Sequence, residues 1–202
     1  MKLLIVSSSQ REGSQSAKVA QYLLDTNTLF DEANHLELCR YSLPFWDGDS
    51  QTKSANGSVW PFISQQVKQA DALVLITPEW GGMASPLLKN FLLMCENQET
   101  AHKPALLVSV VSGISGAYPI AELRMNALKN NKLVATPDHL IIRNVTDVLN
   151  TATAESDREY DLRERVNYSV HMLHQYAKAL RPIRQRHAST PYPKQQEYVY
   201  GM

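Results

Sequence analysis

Cysteine is nearly absent: Cys39 and Cys95 are the two in 202 residues, and they lie far apart. With no C-x-x-C pair, neither a zinc site nor a redox dithiol is indicated, and both read as reduced thiols of a cytoplasmic protein. An excess of one charge sign is lacking too. Lys plus Arg and Asp plus Glu number 20 each, which gives no electrostatic argument for nucleic acid or a membrane surface, so no nucleic-acid partner is expected, and, through weak self-repulsion, mildly favours self-association. No run approaches the ~20 apolar residues of a membrane span. The opening MKLLIV stretch turns polar after Val6, too short an apolar core for a secretory signal. Glycine is scarce, and the glycine-rich phosphate signatures G-x-G-x-x-G and G-x-x-x-x-G-K-[ST] do not occur.

What is there is an alternation of short apolar runs with amphipathic ones. The apolar share, 44%, is that of an ordinary globular domain. Lys2–Ser7, Leu36–Arg40, Ala72–Ile76, Pro104–Val111 and Pro137–Val145 read as strands, most of them continuously apolar, as in a parallel sheet buried on both faces. Helices are predicted over Gln15–Leu24, Val59–Gln69, from Pro86 (capped by Ser85) to about Glu96, Pro119–Lys129 and Asp157–Leu180. Residues 51–58 and 77–84 read as loops. The alternation predicts an α/β three-layer sandwich with a five-stranded parallel sheet. One domain is expected over residues 1–180, with an extended tail over 181–202 whose tyrosines (Tyr192, Tyr198, Tyr200) are suited to reach another subunit.

Ligands of such sheets bind at the carboxyl ends of the strands, near the switch in strand order. Three distinctive loops fall there. Residues 7–16, SSSQREGSQS, run from a strand into a helix N-terminus, where free N–H groups, serine hydroxyls and Arg11 suit a phosphate monoester. A serine-rich capped turn with a solvated arginine is the other reading. Residues 77–84, TPEWGGMA, offer adjacent glycines for close backbone approach and Trp80 for ring stacking, or for packing on a neighbouring helix. Residues 112–117, SGISGA, add N–H donors, or form a plain strand-to-helix turn. Together these fit a mononucleotide with an aromatic base, FMN above all.

At these loops the chain resembles the NADPH-dependent FMN reductase family of the flavodoxin-like fold, over roughly residues 1–145. Ser8-Ser9-Gln10-Arg11-Glu12-Gly13-Ser14-Gln15-Ser16 occupies the family's Gly-Ser-x-Arg-x-x-Ser-x-Asn phosphate frame. Thr77-Pro78-Glu79-Trp80-Gly81 and Pro86-Leu87-Leu88-Lys89-Asn90 match its Thr-Pro-Glu-Tyr-Asn and Leu-Lys-Asn motifs, and Leu43-Pro44-Phe45 its Leu-Pro segment. Ser8, Ser16, Trp80 and Gly81 depart from the pattern; residues 44–58 are long, and the part after Ala154 has no counterpart. The resemblance implies strand order 2-1-3-4-5, bound FMN, NADPH or NADH as co-substrate, a small-molecule electron acceptor (flavin, quinone, azo compound or similar), and a homodimer or homotetramer. It assigns Ser9, Arg11, Ser14 and Ser16 to the phosphate. Pro78, Glu79, Trp80, Gly81 and Gly82 fall to the ring, and Ser112, Gly113 and Gly116 to its other side. No side-chain acid or base is required, so no catalytic residue is named. A flavodoxin-like electron carrier and a non-catalytic flavin-binding or interaction protein are the competing readings.

Other groupings read as structural. His171 and His174 share metal-like spacing but lack further ligands and are expected at the surface. Asp47-Gly48-Asp49 reads as a turn, and Ser115 lies outside any G-x-S-x-G elbow. The basic cluster Arg181, Arg184, Arg186 and His187 is either a solvated tail or a contact for a nucleotide phosphate or a partner.

Overall fold

A computed structural model describes residues 1–195. In chain order its elements are β1 (Lys2–Ser7), α1 (Gln15–Asp25), β2 (Glu32–Glu37), α2 (Ser50–Ser54), α3 (Trp60–Gln69), β3 (Ala72–Trp80), β4 (Met83–Ala84), α4 (Pro86–Met94), α5 (Asn97–Thr100), β5 (Pro104–Val110), α6 (Ala117–Glu122), β6 (Val134–Ile142) and α7 (Asp157–Ser189). Five strands form a parallel sheet in the order β2-β1-β3-β5-β6, with β4 added antiparallel on the end of β3. Leaving β4 aside, this is the 2-1-3-4-5 order expected.

The continuously apolar strands are buried on both faces because successive side chains point to opposite sides. Leu4 and Val6 of β1, Leu73 and Leu75 of β3, and Ala105 and Leu107 of β5 join one core with Trp60, Ile63 and Phe91 from α3 and α4. Leu3, Ile5, Val74, Ile76, Leu106 and Val108 face the other way and pack with Val19 and Leu23 of α1 and with Val166 and Leu173 of α7. Three layers result.

The structure corrects several boundaries. β2 begins at Glu32, and Leu38–Arg40 turns into a 3₁₀ helix, so the alternating run 36–40 is only half strand. The expected loop 51–58 holds the short helix α2, capped by Asp49, whose carboxylate accepts from the Gln51 amide at 2.8 Å. The helix predicted from Pro119 starts at Ala117 and relaxes into a π-helical turn over Leu123–Ala127. α7 does not stop at Leu180: it runs through Pro182 to Ser189, so residues 181–189 are helical rather than extended. Tertiary anchors offset the proline's missing N–H. Arg184 donates to Asp71 at 2.9 Å, and the His187 ring meets His102 edge-on at 5.2 Å. Asp71 and His102 precede β3 and β5, so this basic cluster lies at the amino-terminal edge of the sheet, opposite the three distinctive loops. Tyr192 is exposed; Tyr198 and Tyr200 lie outside the described residues.

Candidate functional site

Three strand ends bring the first, second and third distinctive segments to one edge. β1, β3 and β5 are neighbours in register, Ser7 opposite Ile76 and Thr77 opposite Ser109. The turns leaving the carboxyl ends of these strands therefore meet side by side.

The first turn is stitched to the second by buried serines that no sequence motif marks for this task. The Ser8 amide and hydroxyl both donate to the Ile76 carbonyl, at 3.1 and 2.8 Å. Ser85, the N-cap of α4, donates its hydroxyl to the Ser8 carbonyl at 2.6 Å and its amide to Thr77 Oγ1 at 2.8 Å. Ser8 is fully buried. Where the family frame has glycine, a hydroxyl serves here as an internal strut.

The phosphate-frame residues gather at the start of α1. Ser14 is its N-cap, accepting from the Ala17 amide at 3.1 Å, and Ser9 Oγ accepts from the Arg11 amide at 3.2 Å. Both hydroxyls keep their protons for another acceptor. Ser16 is buried, and its hydroxyl oxygen has no hydrogen-bond partner. A buried orphan hydroxyl beside the free amides of a helix's first turn suits an anionic oxygen. The exposed Arg11 guanidinium lies over the Trp80 indole at 5.1 Å, bridging the first turn to the second. At the outer edge, His35 Nε2 sits 2.8 Å from Ser7 Oγ, and burial holds this imidazole below its usual range.

The second segment is not a loop. β3 continues through Thr77-Pro78-Glu79 to Trp80 and turns back at once, pairing Glu79 with Ala84 and Trp80 with Met83. Gly81 and Gly82 form the two-residue turn, both at positive φ, +58° and +76°. A tight hairpin asks for that conformation at both positions, which is why two glycines stand there. Trp80 is thereby held on a strand end rather than on a mobile loop. Glu122 of α6 supports the hairpin, accepting from the Ala84 amide at 2.7 Å and from Lys89 at 2.8 Å.

The third turn closes on the second. Ser115 donates its hydroxyl to the Glu79 carboxylate. Ser112 and Gly113 are exposed, whereas Gly116 is buried at φ +99°, and a Cβ there would run into the Ile141 side chain and come within 3.3 Å of Val111 Cγ1. The turn lies so close to β6 that only glycine fits. Arg143, the residue after β6, donates its Nε to the Ser115 carbonyl at 2.8 Å. Ser115 lies in the third expected segment but outside the twelve expected contacts, and Arg143 lies outside all three segments. The available signal was a charged residue within the last predicted strand, 137–145, which the structure ends at Ile142.

All twelve residues expected at the site thus fall on three segments, joined by Ser8, Ser85, Arg11 and the Glu79–Ser115 link. Other groupings lie elsewhere. His174 is buried and packs edge-on against Phe30 at 5.0 Å, so it is not the surface histidine expected. Among the described residues, no three His, Cys, Asp or Glu side chains group as metal ligands. Burial pushes both Cys39 and Cys95 thiols up.

The sequence model of the NADPH-dependent FMN reductase family matches residues 1–147. The chain belongs to that family. It is 30% identical over 116 residues to an NADPH azoreductase of Bacillus sp. (strain OY1-2), covering 57% of this chain and 62% of that one. It is 28% identical over 119 residues to a quinone reductase of Escherichia coli (strain K12), covering 57% and 63%. The match thus spans under two thirds of these relatives' length. Among solved structures, an oxidoreductase from Corynebacterium diphtheriae shares the fold with a TM-score of 0.65 at 13% identity, covering 88% of this chain and 97% of that one. The flavodoxin-like architecture of the family therefore extends over most of the chain, while the sequence match stops before α7. No helix among the described residues is long and apolar enough to cross a membrane.

Proposed function

We propose that this chain binds FMN across the three joined turns and acts as an NAD(P)H-dependent oxidoreductase on a small acceptor such as a flavin, quinone or azo compound. The observation that carries the reading is the convergence itself. An unpartnered buried hydroxyl at a helix N-terminus, an arginine, and an indole fixed on a strand end stand together at the carboxyl edge of a parallel sheet. Family membership supports the same reading.

When bound, FMN supplies two-electron chemistry, accepting hydride from a reduced nicotinamide and returning electrons to a second substrate. The chain's own work is to hold and orient. Ser9, Ser14 and Ser16 direct hydroxyls, and Arg11 a charged fork, at the phosphate beside the α1 amides. Pro78, Glu79, Trp80, Gly81 and Gly82 line the ring, with the hairpin fixing the indole. Ser112, Gly113 and Gly116 close the far side, and the Glu79–Ser115 bond sets the width between the two walls. No residue moves a proton in this scheme. We place the protein in the cytoplasm as a homodimer or homotetramer. Zero net charge and exposed Phe45, Met83, Ile114 and Tyr118 support self-association.

The test is the visible absorption spectrum of protein mixed with FMN and freed of excess, before and after NADPH. Retained flavin that bleaches with NADPH and recovers with quinone is expected. Flavin retained but not reduced by NADPH would leave the electron-carrier reading, and no retained flavin would leave the fold alone.

A further inference from the structure

We infer that Arg143 is a specificity determinant that binds the ribose 2′-phosphate of NADPH and so selects NADPH over NADH; this rests on the reading of the three turns as the flavin site. Arg143 is held at the rim from several directions. Its carbonyl accepts from Arg158 Nη2 at 2.8 Å, and its Nε donates to the Ser115 carbonyl at 2.8 Å. The next residue, Asn144, takes a left-handed conformation at φ 45° and ψ 51°, and its amide donates to the Gly113 carbonyl at 3.1 Å. Backbone and side chain are both clamped to the third turn, while the residue itself is exposed.

A guanidinium has five N–H donors, and Nε uses one. The remaining Nη1–Nη2 edge has no hydrogen bond or ion pair among the described residues. This sets it apart from Arg40, Arg163, Arg165 and Arg184, which each take a carboxylate. A planar, un-neutralised fork bonded through Nε to the neighbouring turn is suited to recognise a phosphate monoester bidentately, with less rotamer freedom to lose than an untethered arginine. NADPH has two kinds of phosphate beyond the nicotinamide. The inner pyrophosphate is common to both coenzymes. The 2′-phosphate, at the outer adenosine end, has a charge near −2 and suits a fork on the solvent-facing side of the turn. Arg11 on the first turn and Arg143, after β6 and bonded to the third turn, then divide the work, one for the flavin phosphate and one for the coenzyme.

The test uses FMN-loaded protein and the variants R143Q and R143A. R143Q keeps an amide donor for the Ser115 carbonyl, so the turn stays anchored while the charge is lost. Calorimetric titration with 2′,5′-ADP and with 5′-AMP reads the 2′-phosphate directly, and initial rates give the ratio of kcat/KM for NADPH to that for NADH. The native protein is expected to bind 2′,5′-ADP more tightly than 5′-AMP. In both variants that preference and the rate ratio should fall roughly tenfold or more, the loss of a charge-assisted bidentate contact. Equal affinity of the native protein for the two nucleotides overturns the assignment. So does a preference that survives in R143Q, or an equal loss for NADPH and NADH, which would mark a pyrophosphate contact. Failure of the flavin reading is separately visible as native protein that takes up no FMN.

Discussion

Gly116 is the residue whose replacement the geometry forbids most directly. Its φ of +99° and the Ile141 and Val111 side chains beside it leave no room for a methyl group. Gly116→Ala is expected to destabilise the fold by about 1–3 kcal/mol, combining left-handed strain with overpacking, and to loosen the third turn; urea unfolding checks the first effect and FMN titration the second. Arg11→Ala is expected to leave stability nearly unchanged, because the side chain is exposed, and to weaken FMN by about 1.5–3 kcal/mol, the value of hydrogen bonds to a charged group. Fluorescence quenching of FMN measures this, and an unaltered Kd would remove Arg11 from the site. At this scale the sequence was informative about identity but not about partners. Ser8, read as a substituted glycine, is an internal strut to Ile76 and Ser85. Ser16, read as a phosphate contact, is a buried hydroxyl without a partner within the protein.

The elements show where periodicity suffices and where it does not. The apolar strands and α1, α3 and α4 were legible because their burial pattern is written in the sequence itself. The β3–β4 hairpin was not, because Pro78 and the adjacent glycines punctuate like a loop; only pairing with Met83–Ala84 makes Glu79 and Trp80 strand residues. The end of α7 was misplaced because Pro182 is locally a helix breaker, whereas its anchors come from Asp71 and His102, remote in sequence. At its start, α7 is tied down by Glu159, which accepts from the Leu149 and Glu155 amides at 2.8 and 3.0 Å and pairs with Arg163 at 2.6 Å. Burial opposes its ionisation, but the Arg163 and amide hydrogen bonds outweigh it and hold the carboxyl down to about 2. The folded value lies below the unfolded one, so this stabilisation is present in full above about pH 4.5 and is lost as pH falls toward 2. Glu159→Gln is expected to cost about 1–2 kcal/mol at pH 7 and to flatten the acid limb of the stability curve, which denaturant midpoints from pH 7 to pH 2 would show.

For the whole molecule, the two edges of the sheet carry separate tasks: the candidate site at the carboxyl ends, and the α7 clasp at the amino ends. A chain ended after Leu180 loses Arg184 and His187 and is expected to lose about 1–2 kcal/mol, the order of one charge-assisted pair, with a lower Tm and an unchanged Kd for FMN. A matching loss of flavin affinity would show that the two edges are coupled. Light scattering of the full chain is expected to give two or four times the monomer mass, and a monomer would count against the assembly reading.

The sequence alone determined the layered α/β architecture, the alternating burial of its strands and the family, because apolar patterning and the Ser-x-Arg and Thr-Pro-Glu motifs are local properties of the chain. It also placed the three candidate segments at one sheet edge, since the carboxyl ends of neighbouring parallel strands lie side by side. Only the tertiary structure decided that Trp80 stands on a hairpin, that Ser8 and Ser85 lock two turns together, that Arg143 is clamped to the third, and that α7 passes its proline. Each of these depends on contacts that the local pattern of apolar and polar residues does not encode, most of them between residues far apart in sequence.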